Sequence, residues 1–141
     1  MLSQTAEYAL LAAIRLARPD GGDPVAVGDL AGELDVPRNY LSKILHALAR
    51  EGIVEGVRGP GGGFRLARPP GSTTLLEVVG TIDDLSPGRT CVLGRPECSD
   101  ADPCPAHERW KSVAEEIALF FRETTLADVA READAAVPSR G

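Results

Sequence analysis

Apolar side chains recur every three or four residues along the first fifty positions, which is the spacing of amphipathic helices. Residues 3–18 show this period at Ala6, Ala9, Leu10, Ala13, Ile14 and Ala17. A short second helix is predicted by Val27, Leu30, Ala31 and Leu34. A third helix is predicted over residues 38–50, with a buried face made of Leu41, Ile44, Leu45 and Leu48. Turn-forming residues at 19–24 and 35–37 separate the three helices.

The pattern changes to short strands after the third helix. Residues 53–57 and 64–67 have strand character, and the glycine-rich segment 58–63 between them predicts the tip of a hairpin. Helix, short helix, turn and helix is the order of a helix-turn-helix, and a following hairpin is typical of its winged form. We therefore expect residues 1–70 to form a winged helix-turn-helix DNA-binding domain.

The second half combines short helices with one long helix. Thr74 and Glu77 form a capping-box signal for a helix ending near residue 82, and a cysteine-containing loop is predicted from 83 to 104. Pro105 suits the start of the long helix. Residues 125–128 predict the cap of a further short helix, and residues 133–141 predict a disordered tail.

The long helix has an apolar stripe with no evident partner in so short a chain. The stripe consists of Trp110, Val113, Ala114, Ile117, Phe120 and Phe121. An uncovered stripe of this kind favours packing against a second copy, so we expect a homodimer. The predicted fold class is mainly α with a small β-hairpin wing, and residues 71–132 supply a linker helix, the cysteine loop and the long C-terminal dimerisation helix.

Charge is distributed unevenly along the chain, whose formal net charge is −6. Residues 36–70 contain six basic and two acidic side chains, whereas residues 71–141 contain seven basic and thirteen acidic ones. A basic excess on the predicted third helix and wing favours contact with phosphate. The candidate DNA contacts are Arg38, Asn39, Tyr40, Lys43, Arg58, Gly59 and Gly61.

Each of these candidates has a plainer interpretation. The polar face of the third helix is also what any solvated helix would show, and the glycine-rich segment is also a plain hairpin tip. A nucleotide-binding loop is disfavoured because the segment lacks the terminal Gly-Lys-Ser or Gly-Lys-Thr and precedes a strand. The order of the elements favours double-stranded DNA over these alternatives.

The chain has only three cysteines, Cys91, Cys98 and Cys104, and His107 follows the last of them. Thiolates gathered in one loop are suited to a metal or an iron–sulfur cluster. Zinc remains an alternative, although structural zinc sites usually include a closer cysteine pair. A nucleophile formed by Cys104 and His107 is a third interpretation, without a recognisable substrate pocket.

No leader-like or membrane-spanning pattern is present, and an odd cysteine number disfavours a disulfide framework. We therefore expect a cytoplasmic protein that acts on no membrane and no small-molecule substrate and is not an enzyme. A redox enzyme or thiol carrier using Cys104, and a cluster-free adaptor that binds a metabolic enzyme, are the alternatives from other functional classes.

The combined motifs resemble the Rrf2 family of winged-helix transcription regulators. The resemblance rests on Tyr8-Ala9-Leu10, on the wing segment 58–64, and on the three cysteines followed by His107 and Trp110, and it covers residues 1 to about 130. It implies a homodimer whose affinity for promoter DNA depends on the state of an iron–sulfur cluster. It also implies DNA contacts by Tyr40 and Arg58, whereas Ser42 and Lys43 depart from the residues of the IscR-like branch.

The resemblance further implies the ligands of the cluster. Cys91, Cys98 and Cys104 match the three thiolate ligands, and His107 matches the fourth ligand of the IscR-like branch, which favours a [2Fe-2S] cluster. Glu7 matches a carboxylate that the partner subunit donates in the NsrR-like branch of nitric-oxide-sensing repressors, which implies [4Fe-4S] as the alternative. The gap between the first two cysteines is one residue longer than in the IscR-like branch.

Overall fold

The computed structural model describes residues 2–18, 22–84, 93 and 100–135, with the backbone alone for residues 132–135. Its helices are α1 (Gln4–Leu16), α2 (Val27–Leu34), α3 (Arg38–Arg50), α4 (Leu75–Gly80), α5 (His107–Glu123) and α6 (Leu126–Ala135). Strands β1 (Val54–Val57) and β2 (Gly63–Leu66) pair in an antiparallel hairpin, and Pro70–Ser72 form a 3-10 turn. The mainly helical fold with a hairpin wing is confirmed.

Helix α1 forms the centre of the packing. Its first turn is capped by Ser3, whose hydroxyl oxygen accepts a hydrogen bond from the Ala6 amide. Its buried face consists of small side chains, and α1 packs against α3, α4 and α6. Short side chains let neighbouring helices approach the α1 backbone closely. The fully buried positions of that face are Ala6, Ala9, Ala12 and Ala13.

The turn between α2 and α3 is closed by backbone contacts. Asp35 adopts the left-handed conformation, with φ 55° and ψ 50°, which aspartate tolerates better than most residues. The Val36 amide then donates to the Ala31 carbonyl at 3.0 Å, and Pro37 precedes the first residue of α3. The predicted core face of α3 is buried as expected, at Leu41, Ile44, Leu45 and Leu48.

The wing is attached to the rest of the domain at Phe64. The Phe64 amide donates to the Val25 carbonyl and the Val25 amide donates to the Phe64 carbonyl, both at 2.9 Å. This isolated bridge places the residues before α2 beside β2, a contact that the sequence did not predict. The Phe64 ring also lies edge-on to His46 of α3, with ring centroids 5.5 Å apart. The wing and α3 are therefore held in a fixed relation.

The second half of the chain packs on the first half. A bridge between Thr74 and Thr125 joins the starts of α4 and α6, through hydrogen bonds from Leu75 to Thr124 and from Leu126 to Thr73. Leu126 is fully buried, and Phe121 of α5 lies in the same core cluster as α1 and α3. The hydrophobic core is therefore continuous across the predicted boundary at residue 70.

Helix α6 begins with the predicted cap. The Thr125 hydroxyl accepts from the Asp128 amide at 3.2 Å, and Asp128 accepts from the Thr125 amide at 3.0 Å. The bond from the Thr125 backbone, more than the nearby Arg131, holds the pKa of Asp128 below its ordinary value. The helix continues to Ala135, so the first three residues of the predicted tail are helical. Residues 136–141 lie outside the described residues.

Candidate nucleic-acid interface and metal centre

The outer face of α3 carries exposed cations. Arg38, Asn39 and Lys43 are exposed on the first two turns of the helix. Across the described part of the chain, no ion pair involves Arg38, Lys43 or Arg58. By contrast, Arg65 on β2 lies 2.7 Å from Glu55, and Arg68 lies 2.9 Å from Glu77. The uncompensated charge of the basic segment is thus at α3 and the wing tip, where contact with phosphate is predicted.

Tyr40 differs from the other predicted contacts because α1 partly covers it. Its hydroxyl group hydrogen-bonds to the Thr5 hydroxyl, and its ring lies edge-on to Tyr8 with centroids 5.8 Å apart. The Tyr8 hydroxyl oxygen in turn accepts a hydrogen bond from the side-chain amide Nε2 of Gln4 at 3.0 Å. Tyr40 therefore fixes the first turn of α3 on α1, and its contact with DNA stays a prediction.

The wing tip is rich in glycine, and its backbone atoms approach one another closely because no side chains lie between them. Gly59 and Gly61 have φ values of 92° and 75°, and the Gly62 amide donates to the Gly59 carbonyl at 2.9 Å. A Cβ atom at Gly62 would lie 2.2 Å from the Val57 carbonyl oxygen, so only glycine fits this turn. Arg58 is exposed at the base of the tip. The tip thus presents one arginine beside bare backbone, as expected for a wing that lies against DNA.

The cysteine segment is described at its C-terminal end. Cys104 is 7% exposed and His107 is 4% exposed, and the His107 amide donates to the Cys104 carbonyl at 3.0 Å at the start of α5. Cys91 and Cys98 lie outside the described residues. Within residues 2–18, 22–84, 93 and 100–135, no group of three or more metal-binding side chains is assembled. The described part therefore places two of the four predicted ligands together and does not test the other two.

A carboxylate contacts the His107 ring, and the sequence analysis did not predict this contact. Nε2 of His107 lies 2.7 Å from Oδ1 of Asp100, and Nζ of Lys111 lies 3.1 Å from the same oxygen. The hydrogen bond from His107, followed by that from Lys111, holds the pKa of Asp100 below its ordinary value. The same contact with Asp100 raises the pKa of Lys111. This trio connects the cysteine segment to the first turns of α5.

The entrance of the cysteine segment is tied to α1. Asp83 accepts hydrogen bonds from both the amide and the hydroxyl of Ser3, at 2.8 and 2.6 Å. Ser3 is the N-cap of α1, and Glu7 is exposed on the first turn of the same helix. Glu7, the predicted alternative ligand, therefore lies on α1. The N-cap of α1 is held by Asp83, the first residue of the predicted loop.

The apolar stripe of α5 divides into two parts. Phe121 is 5% exposed in the core, and Ile117 packs against the same core. Phe120 and Val113 are 54% and 46% exposed, and Leu119 is 40% exposed. The prediction that the whole stripe lacks a partner in its own chain was wrong, because α4 packs against one side of α5. Val113 and Phe120, seven residues apart on one face, remain uncovered.

Comparisons with known proteins identify the family to which the chain is similar. Residues 2–132 match the model of the Rrf2 family, which is described as an iron-dependent transcriptional regulator. A candidate HTH-type transcriptional regulator of Aquifex aeolicus is 35% identical over 131 residues, covering 92% of this chain and 90% of that protein. The HTH-type transcriptional regulator IscR of Klebsiella pneumoniae is 29% identical over 128 residues, covering 91% of this chain and 78% of that protein.

Solved structures have the same fold. The IscR structure of T. potens superposes with a TM-score of 0.76 and 25% identity, covering all of this chain and 93% of that one. CymR, the global cysteine regulator of B. subtilis, superposes with a TM-score of 0.78 and 23% identity, covering 94% and 97%. The latter likeness concerns the fold alone. Within the described residues, no helix has the length and apolar character needed to cross a membrane.

Proposed function

Because the chain belongs to the Rrf2 family of DNA-binding transcriptional regulators, we propose that it is a cytoplasmic homodimer whose affinity for promoter DNA is set by a bound iron–sulfur cluster. The observation that supports this most directly is the pair of buried metal-binding side chains, Cys104 and His107, at the start of α5. The unpaired cations of α3 and the wing supply the DNA-binding surface in the same proposal.

The donor set suits such a cluster. Cys91, Cys98, Cys104 and His107 combine three soft thiolates with one imidazole, a combination that iron–sulfur clusters accept. A bound cluster supplies redox-active iron, which makes the loop sensitive to oxidants and to the supply of iron and sulfide. Burial of Cys104 and His107 limits solvent access to their ligand atoms. We propose a [2Fe-2S] cluster with these four ligands.

Contacts that run from the start of the loop through α1 to α3 support a route for the signal in this proposal. Asp83 holds the cap of α1 through Ser3, and α1 holds Tyr40 of α3 through Thr5 and Tyr8. Lys111 and Asp100 connect the other end of the loop to α5, which carries the uncovered face. Ordering of the loop by its ligands would therefore bias both the DNA-reading helix and the proposed dimer helix.

Two alternatives compete with this proposal. Glu7 favours an NsrR-like repressor with a [4Fe-4S] cluster that is destroyed by nitric oxide, since a carboxylate is exposed on the first turn of α1. The second alternative is a regulator that works without a cluster, in a fold that this chain shares with the CymR structure. In that case the thiols or a zinc ion would carry the signal.

The proposal is tested on protein purified without oxygen. We expect visible absorbance and an EPR signal after reduction, with two iron and two sulfide ions per chain for a [2Fe-2S] cluster, or four of each for the alternative. Colourless protein with one zinc ion per chain would refute cluster control and favour the zinc alternative.

The fourth ligand is identified by two single substitutions. We expect His107→Ala to change or abolish the visible spectrum, because it removes one ligand from a buried site. Glu7→Ala should leave the spectrum unchanged. The control for a lost surface carboxylate is Glu108→Ala, because Glu108 lies next to His107 on α5. The reverse result, with loss of the cluster only in Glu7→Ala, would support the NsrR-like alternative.

Removal of the wing cation should weaken binding to promoter DNA. Arg58→Ala deletes an exposed cation that has no ion-pair partner within the described residues, so its phosphate contact and the associated counterion release are lost. We expect weaker binding at every salt concentration, and a slope of log K against log salt that is shallower by about one unit. Fluorescence anisotropy across a salt series measures both.

The matched control for Arg58 is Arg131→Ala. This substitution removes the same charge from an exposed position on α6, where Arg131 pairs with Asp128 at 3.2 Å. Its salt slope should equal that of the unmodified protein. Equal losses of affinity in the two variants would show that overall charge, and not the wing, determines binding.

A further inference from the structure

The proton on the His107 ring can be placed from its contact with Asp100. Nε2 of His107 lies 2.7 Å from the carboxylate oxygen Oδ1. An ionised carboxylate only accepts hydrogen bonds, so the ring donates through Nε2–H. When the imidazole is neutral it has one N–H group and one lone pair, so the lone pair of His107 is then on Nδ1.

The carboxylate is itself held in place. Lys111, four residues after His107 and on the same face of α5, donates to both oxygens of Asp100 at 3.1 and 3.3 Å. The Asp100 side chain is 72% exposed, whereas the His107 side chain is 4% exposed. A buried ring is thus oriented from the solvent side by a carboxylate that is anchored to the same helix.

Carboxylates in this position orient histidine ligands in metal sites, because they fix the tautomer and make the other ring nitrogen more basic. We propose that Asp100 is a positioning residue of the metal centre, which holds His107 as the Nε2–H tautomer so that Nδ1 is the nitrogen that binds iron. The inference rests on the proposed function, in which His107 is a ligand. Asp100 is not a ligand in this proposal.

The only other histidine of the chain provides an internal reference. Nδ1 of His46 lies 2.7 Å from the carbonyl oxygen of Ser42, which can only accept. His46 therefore holds its proton on Nδ1, the opposite of His107. The two rings should differ in tautomer within one sample, under one set of conditions.

The first test uses the metal-free full chain, labelled with 15N-histidine. Long-range proton–nitrogen NMR spectra at pH about 8, above the ordinary histidine pKa of about 6.5, distinguish the two tautomers. We expect Nε2–H for His107 and Nδ1–H for His46, with His46→Gln as the assignment variant. Asp100→Ala should abolish the preference at His107 alone, and Asp100→Glu should restore it. A proton on Nδ1 of His107, or no change in Asp100→Ala, would overturn the inference.

The second test uses cluster-loaded protein prepared without oxygen and measures the bleaching of its visible absorbance by an iron chelator. We expect Asp100→Ala to bleach about tenfold faster than the unmodified protein. Glu108→Ala, which removes a carboxylate next to His107, should bleach at the unmodified rate.

The two kinds of failure are distinguishable. Equal bleaching rates in Asp100→Ala and the unmodified protein, with iron and sulfide present in both, would overturn the role of Asp100 and leave the proposed function standing. If the unmodified protein takes up no iron, both the proposed function and the role of Nδ1 as a ligand are refuted. The tautomer in metal-free protein is measured independently of either result.

Discussion

Gly63→Ala should detach the wing and destabilise the fold by roughly 3 kcal/mol or more. Gly63 has a φ of 152°, and a Cβ atom there would lie 2.1 Å from the Val25 carbonyl oxygen and 2.7 Å from the Ala26 amide nitrogen. Both neighbours are backbone atoms, which cannot move aside as a flexible side chain would. The bridge between Val25 and Phe64 must therefore break or the strand must shift.

Urea unfolding measures the loss of stability, and hydrogen exchange at the Phe64 amide measures the loss of the bridge. The matched control is Gly52→Ala, because Gly52 also has a positive φ, 75°, but has open space around the added Cβ. That variant should cost only about 1 kcal/mol, the ordinary penalty for a left-handed residue. Equal destabilisation of the two variants would show that backbone conformation, and not the close approach to Val25, determines the requirement for glycine.

Phe120→Lys should convert the proposed dimer to a monomer with little change in the stability of each subunit. Phe120 is 54% exposed on α5, so its replacement removes little packing within the chain. Glu116 lies four residues before and Glu123 three residues after, and the lysine can pair with either on the helix surface. A charge placed in an apolar interface should raise the dissociation constant of the dimer by roughly a hundredfold or more, about 3 kcal/mol.

Sedimentation measures the dimer, and thermal unfolding measures the subunit. The control is Phe121→Ala, at the neighbouring position: Phe121 is 5% exposed in the core, so the fold should lose about 3–5 kcal/mol. We expect promoter affinity to fall in Phe120→Lys, because two linked reading surfaces become one. A dimer that survives in Phe120→Lys would place the interface on another surface.

The helical half of the fold was predictable because its signals are local. The apolar spacing of residues 38–50 is set by one helix, and α3 has the predicted bounds. The caps at Thr74 and Thr125 were likewise visible, since a cap depends on residues three positions apart. Where a side chain and its partner are three or four positions apart, the sequence pattern predicts their contact.

Most of the contacts that the sequence analysis did not predict join residues that are far apart in the chain. Ser3 and Asp83 are 80 positions apart, and neither residue type indicates the other. Val25 bridges to Phe64 as a single residue, too short for a strand pattern. Phe120 and Phe121 looked equivalent on the stripe, and only the packing of α4 against α5 distinguishes them. Asp100 was one of several acidic residues in its loop, and only the folded position of His107 selects it.

Phe64 has a consequence for how DNA is read. It pairs with β1, bridges to Val25 and contacts His46, so the strands of the wing are joined to α3 through one residue. If Arg58 and the first turn of α3 contact DNA as proposed, the spacing between their two contacts is then set within each subunit. In the proposed dimer, tolerance for operators of different half-site spacing has to come from the arrangement of the two subunits. In that dimer, a change in the preferred half-site spacing is therefore a change of quaternary geometry.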